Sequence, residues 1–259
     1  MAPAILVLAG RRSPAADPLA ARAGVSHKAM VPLGGEAMVG RVLRVAEEAF
    51  PGARLYVSID DAAAIADEPT VARLAAAGKL EIVQARTNIV DSVVAASRVA
   101  GFPLLITTAD NVLMTPDGMR AMAEAGAAGD TDGIVMMAER TDILAAHPEG
   151  QRRFYAFRGG AYSNCNLFWL GSDTALKATD SFRLGGQFAK HKRRAVKALG
   201  LATLLLYATR LLTLEGMFRH FSRRFGVRIR PLVTRDGRLA IDVDNERTFK
   251  VAEELLASG

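Results

Sequence analysis

From Ala4 to about Ala138 the chain alternates short apolar runs with helical text, and that alternation restricts the fold more than any other feature. Ala4 to Leu8 reads as a buried strand, and Glu36 to Phe50 as a helix that gathers Val39, Val42, Leu43 and Ala46 on one side. Arg54 to Ile59 is a second strand. An Ala-rich helical stretch leads to a short strand at Leu80 to Val83. A helix from Ile89 to Val99 then ends near Gly101, and Pro103 to Thr108 is the next buried strand. Strands separated by helices run parallel, and their crossover helices cover both faces of the sheet. Ligands then bind at the carboxyl ends of the strands. Two loops at such ends carry polar chemistry: Gly10 to Lys28, and Ala109 to Asn111.

Past Ala138 the text changes. "RRFYAFRGGAYSNCNLFWL" predicts two extended segments joined at Gly159-Gly160. Helical text fills Ser172 to Arg224, and Val227 to Val233 with Leu239 to Val243 predict a last pair of strands around an Asp236-Gly237 turn. A helix from Asn245 to Ala257 follows. With 259 residues and no internal repeat, one domain over 1–259 is expected. The one cysteine, Cys165, excludes an intrachain disulfide, and the apolar start lacks a basic leader, so a reducing, cytoplasmic setting is expected.

Several residues carry candidate chemistry. Glycine after a buried strand lets backbone amides approach a ligand closely, and such amides suit phosphate oxygens. Arg11, Arg12 and Lys28 can neutralise a triphosphate, although a basic loop also fits a solvated surface. Asp110, directly after a buried strand and flanked by Thr107, Thr108 and Asn111, is placed to hold magnesium, which prefers oxygen ligands. The competing role, capping the helix that starts near Thr115, suits Thr115 or Asp117 better. In "AIDVDNERTFKVAEELL" the alternation puts Asp242 and Asp244 on one face, where two acids repel unless a cation lies between them. Asp244 or Asn245 equally fits the N-cap of the last helix. His27, His147, His191 and His220 are scattered and read as surface residues, and Cys165 reads as packing.

Together these segments resemble the nucleotidyltransferases with a nucleotide-diphospho-sugar transferase fold. That family includes the molybdenum cofactor guanylyltransferases and the cytidylyltransferases of isoprenoid and acidic-sugar synthesis. "VLAG" with the later "HKAMVPLGGEAMVGRVL" is similar to the opening loop with its lysine, although Arg11 stands where a second glycine is usual. "RTNIVDSVVAAS" is similar to the base-contacting segment, "LLITTADNVLMTP" to the strand with the metal aspartate, and "SNCNLFWL" to the acceptor strand. The C-terminal acidic stretch is similar to the closing motif. The resemblance implies a three-layer, Rossmann-like α/β fold with a mixed, mostly parallel sheet. It implies that Leu8, Ala9, Gly10, Arg11, Lys28 and Ser92 bind the nucleotide, that Asn164 and Asn166 line the acceptor site, and that Asp110, Asp244 and Asp242 hold Mg2+. Lys28, Arg11 and Asp110 are the implied catalytic set. The implied reaction joins a nucleoside triphosphate, CTP ahead of GTP on the Asp91-Ser92-Val93 match, to a phosphorylated acceptor with release of pyrophosphate.

Residues 187–230 stand apart as a helical insert. They hold eleven Lys/Arg against one acid, Glu215, a local +10 that leaves the rest of the chain at −4 within a net charge of +6. Their apolar run, Leu199 to Ala208, is half the ~20 residues that cross a bilayer as a helix. Basic and apolar helical text of this kind suits peripheral contact with an anionic membrane at its inner face, and an acceptor that is a lipid or lipid head-group precursor. Two readings compete with it: the apolar run as an internal core helix, and the basic residues as a solvated face or an attraction for an anionic substrate. Aromatic residues interleaved with basic ones are missing, which argues against nucleic acid. Two other functions remain in view: a nucleotide-sugar-dependent glycosyltransferase, disfavoured because Val112 stands where an Asp-x-Asp motif needs its second acid, and a degenerate nucleotide-binding protein docked at a membrane.

Overall fold

A computed structural model describes residues 2–11, 17–179 and 201–258. The first half follows the expected alternation. Strands β1 (Ala4–Leu8), β4 (Leu55–Ile59), β5 (Leu80–Gln84) and β6 (Leu104–Thr108) are joined through helices α1 (Pro18–Ala23), α2 (Met38–Ala49), α3 (Pro69–Ala76) and α4 (Ile89–Ala100). Two-residue strands β2 (Pro32–Leu33) and β3 (Glu36–Ala37) form a small hairpin before α2, turned by Gly34 and Gly35 at φ 61° and 85°. Helix α5 (Pro116–Ala127) leads to β7 (Gly133–Glu139) and α6 (Arg140–Ala146), then to the hairpin of β8 (Tyr155–Phe157) and β9 (Gly160–Leu170). Its turn is the predicted one, with Gly159 at φ 93°. After α7 (Leu176–Thr179), the described residues resume with α8 (Leu201–Ala208) and α9 (Leu214–Phe225). Strand β10 (Ile229–Thr234) and helix α10 (Glu246–Ala257) close the chain.

The main sheet has the order β10-β7-β9-β6-β1-β4-β5, with β8 on β9. Strand β9 runs antiparallel to both β6 and β7, while β1 is parallel to β4 and β6, and β10 to β7. The sheet is therefore mixed and mostly parallel, as expected. Its two faces are both covered, which is why β1 is apolar throughout. Ile5 and Val7 join a core with Val39, Val42, Leu43 and Ala46 of α2, Met119 and Met122 of α5, and Phe249 and Ala252 of α10. Leu6 points the other way, into a core with Val93 and Ala96 of α4. On that second side α9 buries Leu214 and Phe218 against Met137. Three layers follow from this alternation, each fully buried aliphatic side chain contributing roughly 1.5–3 kcal/mol.

Two expectations need correction. Leu239 to Val243 does not pair with β10: Gly237–Ala240 forms a 3-10 turn, and β10 instead lies parallel to β7. The Asp236 carboxylate accepts the Arg238 N–H at 3.1 Å, which starts that turn and sends the chain away from a hairpin. The helical text from Ser172 to Arg224 is broken after Ala208, where Arg210 takes φ 52° and Thr213 begins a new helix by accepting the Gly216 N–H. Of the basic cluster, Lys190, Lys192, Arg193, Arg194 and Lys197 lie outside the described residues, as does Arg12.

Candidate active site

Strand β1 lies between β4 and β6, so the loop that leaves it has a strand end on either side. The start of that loop is stitched to both: Ala9 donates its N–H to the Ser58 carbonyl, and Ala109 donates to the Leu8 carbonyl, each at 2.9 Å. Gly10 fits a tight space, since a Cβ there would stand 3.0 Å from the Ala85 Cβ. Arg11 and Lys28 go to opposite sides, while Arg22, on α1, pairs with Glu246. Arg11 reaches Asp60, just past β4, with its backbone N–H at 3.0 Å and its Nε at 2.7 Å. Lys28, at the start of a single 3-10 turn (Lys28–Met30), reaches Asp110, past β6, at 2.6 Å, and Asp244 at 3.1 Å.

Asp110 is buried, and every contact to it is specific. Its Oδ1 accepts the Thr108 hydroxyl at 2.5 Å and its Oδ2 takes Lys28. Its carbonyl accepts the Val243 N–H at 3.0 Å, and this bond brings the C-terminal acids to the strand end. Ile241 and Val243 are fully buried anchors, so the residues alternating with them, Asp242 and Asp244, come to Asp110. The cap roles fall to neighbouring residues and leave the acids free of them: Thr115 caps α5, and Asn245, not Asp244, caps α10 in a reciprocal box with Thr248. One oxygen from each of Asp110, Asp242 and Asp244 falls within 4.8 Å of the others.

The electrostatics of this cluster favour a cation. Burial, then Asp244 and Asp110, push the Asp242 carboxyl up to about 8, and it hydrogen-bonds Asp244. Burial alone would lower the Lys28 ammonium, but the carboxylates of Asp110 and Asp244 more than offset it, and its pKa rises. Three acids offering only oxygen donors, one of them holding a proton that a cation would displace, are a donor set that could hold a hard divalent ion such as Mg2+.

The remaining predicted residues are distributed around these strand ends. Asn164 and Asn166 sit where β9 bulges against β7, between the Val135 and Met137 registers. Asn166 adopts φ 48°, a conformation asparagine tolerates better than most residues. The Asn164 amide donates to Asn166 Oδ1 at 3.0 Å and its own carbonyl oxygen accepts the Asn166 N–H at 3.0 Å. Buried Asn111 ties this bulge to the Asp110 loop by donating to the Cys165 carbonyl at 2.9 Å. Ser92 is committed locally: its hydroxyl accepts the Arg86 N–H at 2.8 Å and donates to the Asn88 carbonyl, shaping the loop before α4. Burial, then Asp236 and Asp242, drive the Cys165 thiol far up, which makes it packing and not a nucleophile. His147 meets Glu254 and His220 meets Thr203, while His27 is buried rather than at the surface. Of the residues that meet here, Asp60 goes unmarked in the sequence reading, Thr108 enters it only as a neighbour of Asp110, and His27 only as a surface residue. The signal for Asp60 was present in "SIDD", an acid past a buried strand, as in "TADN".

Residues 5–208 match the family model described as the MobA-like NTP transferase domain. No curated protein sequence matches the chain. Among solved structures, a hypothetical transferase from Thermus thermophilus superposes with a TM-score of 0.77 at 23% identity, over 96% of this chain and 100% of that one. A CMP:2-keto-3-deoxy-manno-octonic acid synthetase complexed with CTP gives 0.60 at 12% identity, over 98% of each chain. The 4-diphosphocytidyl-2C-methyl-D-erythritol synthase of Anaerococcus prevotii gives 0.55 at 8% identity, over 98% of this chain and 97% of that one.

Proposed function

The chain belongs to the family of MobA-like NTP transferase domains, and on that premise we propose that it joins a nucleoside triphosphate to a phosphorylated acceptor and releases pyrophosphate. The reading takes the chain as a single nucleotidyltransferase domain over 1–259. The observation that carries it is the meeting of Lys28, Asp110, Asp242 and Asp244 beside the glycine turn after β1.

An acceptor phosphate oxygen attacks the α-phosphorus in line, a new P–O bond forms, and the bond to the β-phosphate breaks. The nucleophile is already ionised at neutral pH, so no general base is required. Leu8, Ala9 and Gly10 bring backbone to the triphosphate, and Arg11 and Lys28 offset the charge that builds on the phosphoryl oxygens. Asp110, Asp242 and Asp244 are the ligands for Mg2+, which supplies Lewis-acid charge stabilisation when bound. Asn164 and Asn166 face the acceptor, and Ser92 shapes the loop that meets the base. CTP is favoured over GTP, in keeping with the Asp91-Ser92-Val93 segment and with similar solved structures that include a synthetase holding CTP.

For the acceptor, residues 187–230 suit a lipid or lipid head-group precursor met at the cytoplasmic face of an anionic membrane, with a small anionic substrate drawn by the same basic stretch as the rival. Leu205, Tyr207 and Leu211 are exposed. Tyr155 of β8 is exposed near Tyr207, and Phe157 meets Tyr207 edge-on at 5.8 Å. Arg210, Arg219, Arg223 and Arg224 belong to the same stretch, a combination suited to shallow insertion beside head groups. No helix among the described residues is long and apolar enough to cross a membrane. Calorimetric titration of the four ribonucleoside triphosphates with Mg2+ tests the nucleotide assignment. CTP is expected to bind tightest, and GTP binding tighter than CTP reverses the base preference.

A further inference from the structure

Arg11 rests on a carboxylate that the proposed reaction leaves without a role. Asp60 Oδ1 accepts the Arg11 backbone N–H and Asp60 Oδ2 accepts its Nε. A carboxylate that takes both the main chain and the Nε of one arginine fixes the guanidinium plane. The terminal Nη1 and Nη2 are left over, and neither has a partner among the described residues. Asp60 is held from behind as well. His27 is 1% exposed, its Nδ1 lies 2.8 Å from the Ser26 hydroxyl, and its Nε2 stands 3.3 Å from Asp60 Oδ1. That last contact lacks hydrogen-bond alignment, so the ring backs the carboxylate by packing. His27 immediately precedes Lys28, so one carboxylate contacts both Arg11 and the residue next to Lys28.

An ordinary surface ion pair contributes little and needs neither a backbone donor nor a buried ring behind it. It would also weaken phosphate binding by cancelling the arginine charge. This pair gives up charge and gains direction. We infer that Asp60 is a positioning residue for the triphosphate: it holds Arg11 by Nε and main chain so that the Nη edge meets phosphate oxygens as a fork. Burial alone would raise the Asp60 carboxyl, but the Arg11 backbone and side-chain hydrogen bonds bring it below its ordinary value, so it stays ionised for this task.

The inference rests on the nucleotidyltransferase reading, and the test separates the two. Affinities for CTP and for inorganic tripolyphosphate, both with Mg2+, are measured by calorimetry for wild type, Asp60→Asn, Arg11→Ala, the double variant and Arg11→Lys. Asp60→Asn is expected to weaken both ligands on the order of tenfold, as loss of a charge-assisted hydrogen bond does. Its effect should vanish in the Arg11→Ala background, where there is nothing left to aim. Arg11→Lys keeps the charge but has no Nε, so it should bind as weakly as Asp60→Asn. Equal or tighter binding by Asp60→Asn, a penalty that persists in full without Arg11, or normal binding by Arg11→Lys overturns the inference alone. A wild type that binds neither ligand overturns the nucleotidyltransferase reading with it.

Discussion

Lys28 Nζ lies 2.6 Å from Asp110 Oδ2, an ion pair between residues 82 positions apart that closes the space between the loop after β1 and the end of β6. The carboxylates keep this ammonium protonated despite its burial, so Lys28 is a fixed positive charge and not a proton shuttle. Lys28→Ala should therefore lower the rate of pyrophosphate release by about 10²-fold or more, the scale on which preorganised charge stabilisers act. Steady-state kinetics at saturating Mg2+ checks this, and unchanged turnover would leave Lys28 as a structural ion pair with no part in the reaction.

Asp242 makes a pH-dependent demand on the fold. Its folded pKa of about 8 lies above the ordinary 3.8, so the folded protein holds a proton that the unfolded chain has released. Stability of the metal-free protein must then fall as pH rises from about 4 to about 8, and level off above that. Asp242→Asn should flatten this slope, and Mg2+ should bind more tightly as pH rises because it competes with the same proton. Thermal midpoints across pH in chelator show the effect; parallel curves for the two proteins would contradict it.

The turn at Asp236-Gly237 carries the acidic segment into place. A Cβ at Gly237 would run into the carbonyl group of Asp142 at the start of α6, which packs on this turn. Gly237→Ala is expected to destabilise the protein by about 1–3 kcal/mol, as other overpacked sites do, and to loosen metal binding through displacement of Asp242 and Asp244. Denaturant unfolding with and without Mg2+ reads both effects. Wild-type stability in the variant would mean that the turn gives way freely.

The strand-helix alternation through β6 was legible because each strand is an apolar run closed by polar text. The C-terminal acids were legible in their facing but not in their setting. Ile241 and Val243 alternate with Asp242 and Asp244 in a paired strand and in an extended segment alike. What decides between them is a partner, here one bond from Val243 to Asp110. The Arg11–Asp60 pair was hidden for a similar reason: which strand end flanks a loop depends on the sheet order, and no local text records that β1 lies between β4 and β6. Ser92 shows the converse, a hydroxyl whose neighbours in sequence already occupy it.

Residues 187–230 should bring the protein to anionic vesicles at low salt. Each basic residue near such a surface contributes about 1 kcal/mol, and raising salt shortens the Debye length from ~10 Å at 0.1 M to ~3 Å at 1 M. Co-sedimentation with anionic and neutral vesicles compares wild type with a variant in which Lys190, Lys192, Arg193, Arg194 and Lys197 are changed to Gln. Loss of binding in the variant is expected. Indifference of wild type to anionic vesicles would make the stretch an internal elaboration and point to a water-soluble acceptor.

The central claim is nucleotidyl transfer at the Asp110 cluster, and pyrophosphate release tests it most directly. Wild type and a folded Asp110→Ala variant are incubated with each ribonucleoside triphosphate, Mg2+ and a panel of phosphorylated sugars, alcohols and lipids. Wild type is expected to release pyrophosphate with at least one acceptor, most rapidly with CTP, and Asp110→Ala to release none above background. Near-normal pyrophosphate release by Asp110→Ala would contradict the account, as would a wild type that is inert with triphosphates yet transfers sugar from a nucleotide-sugar.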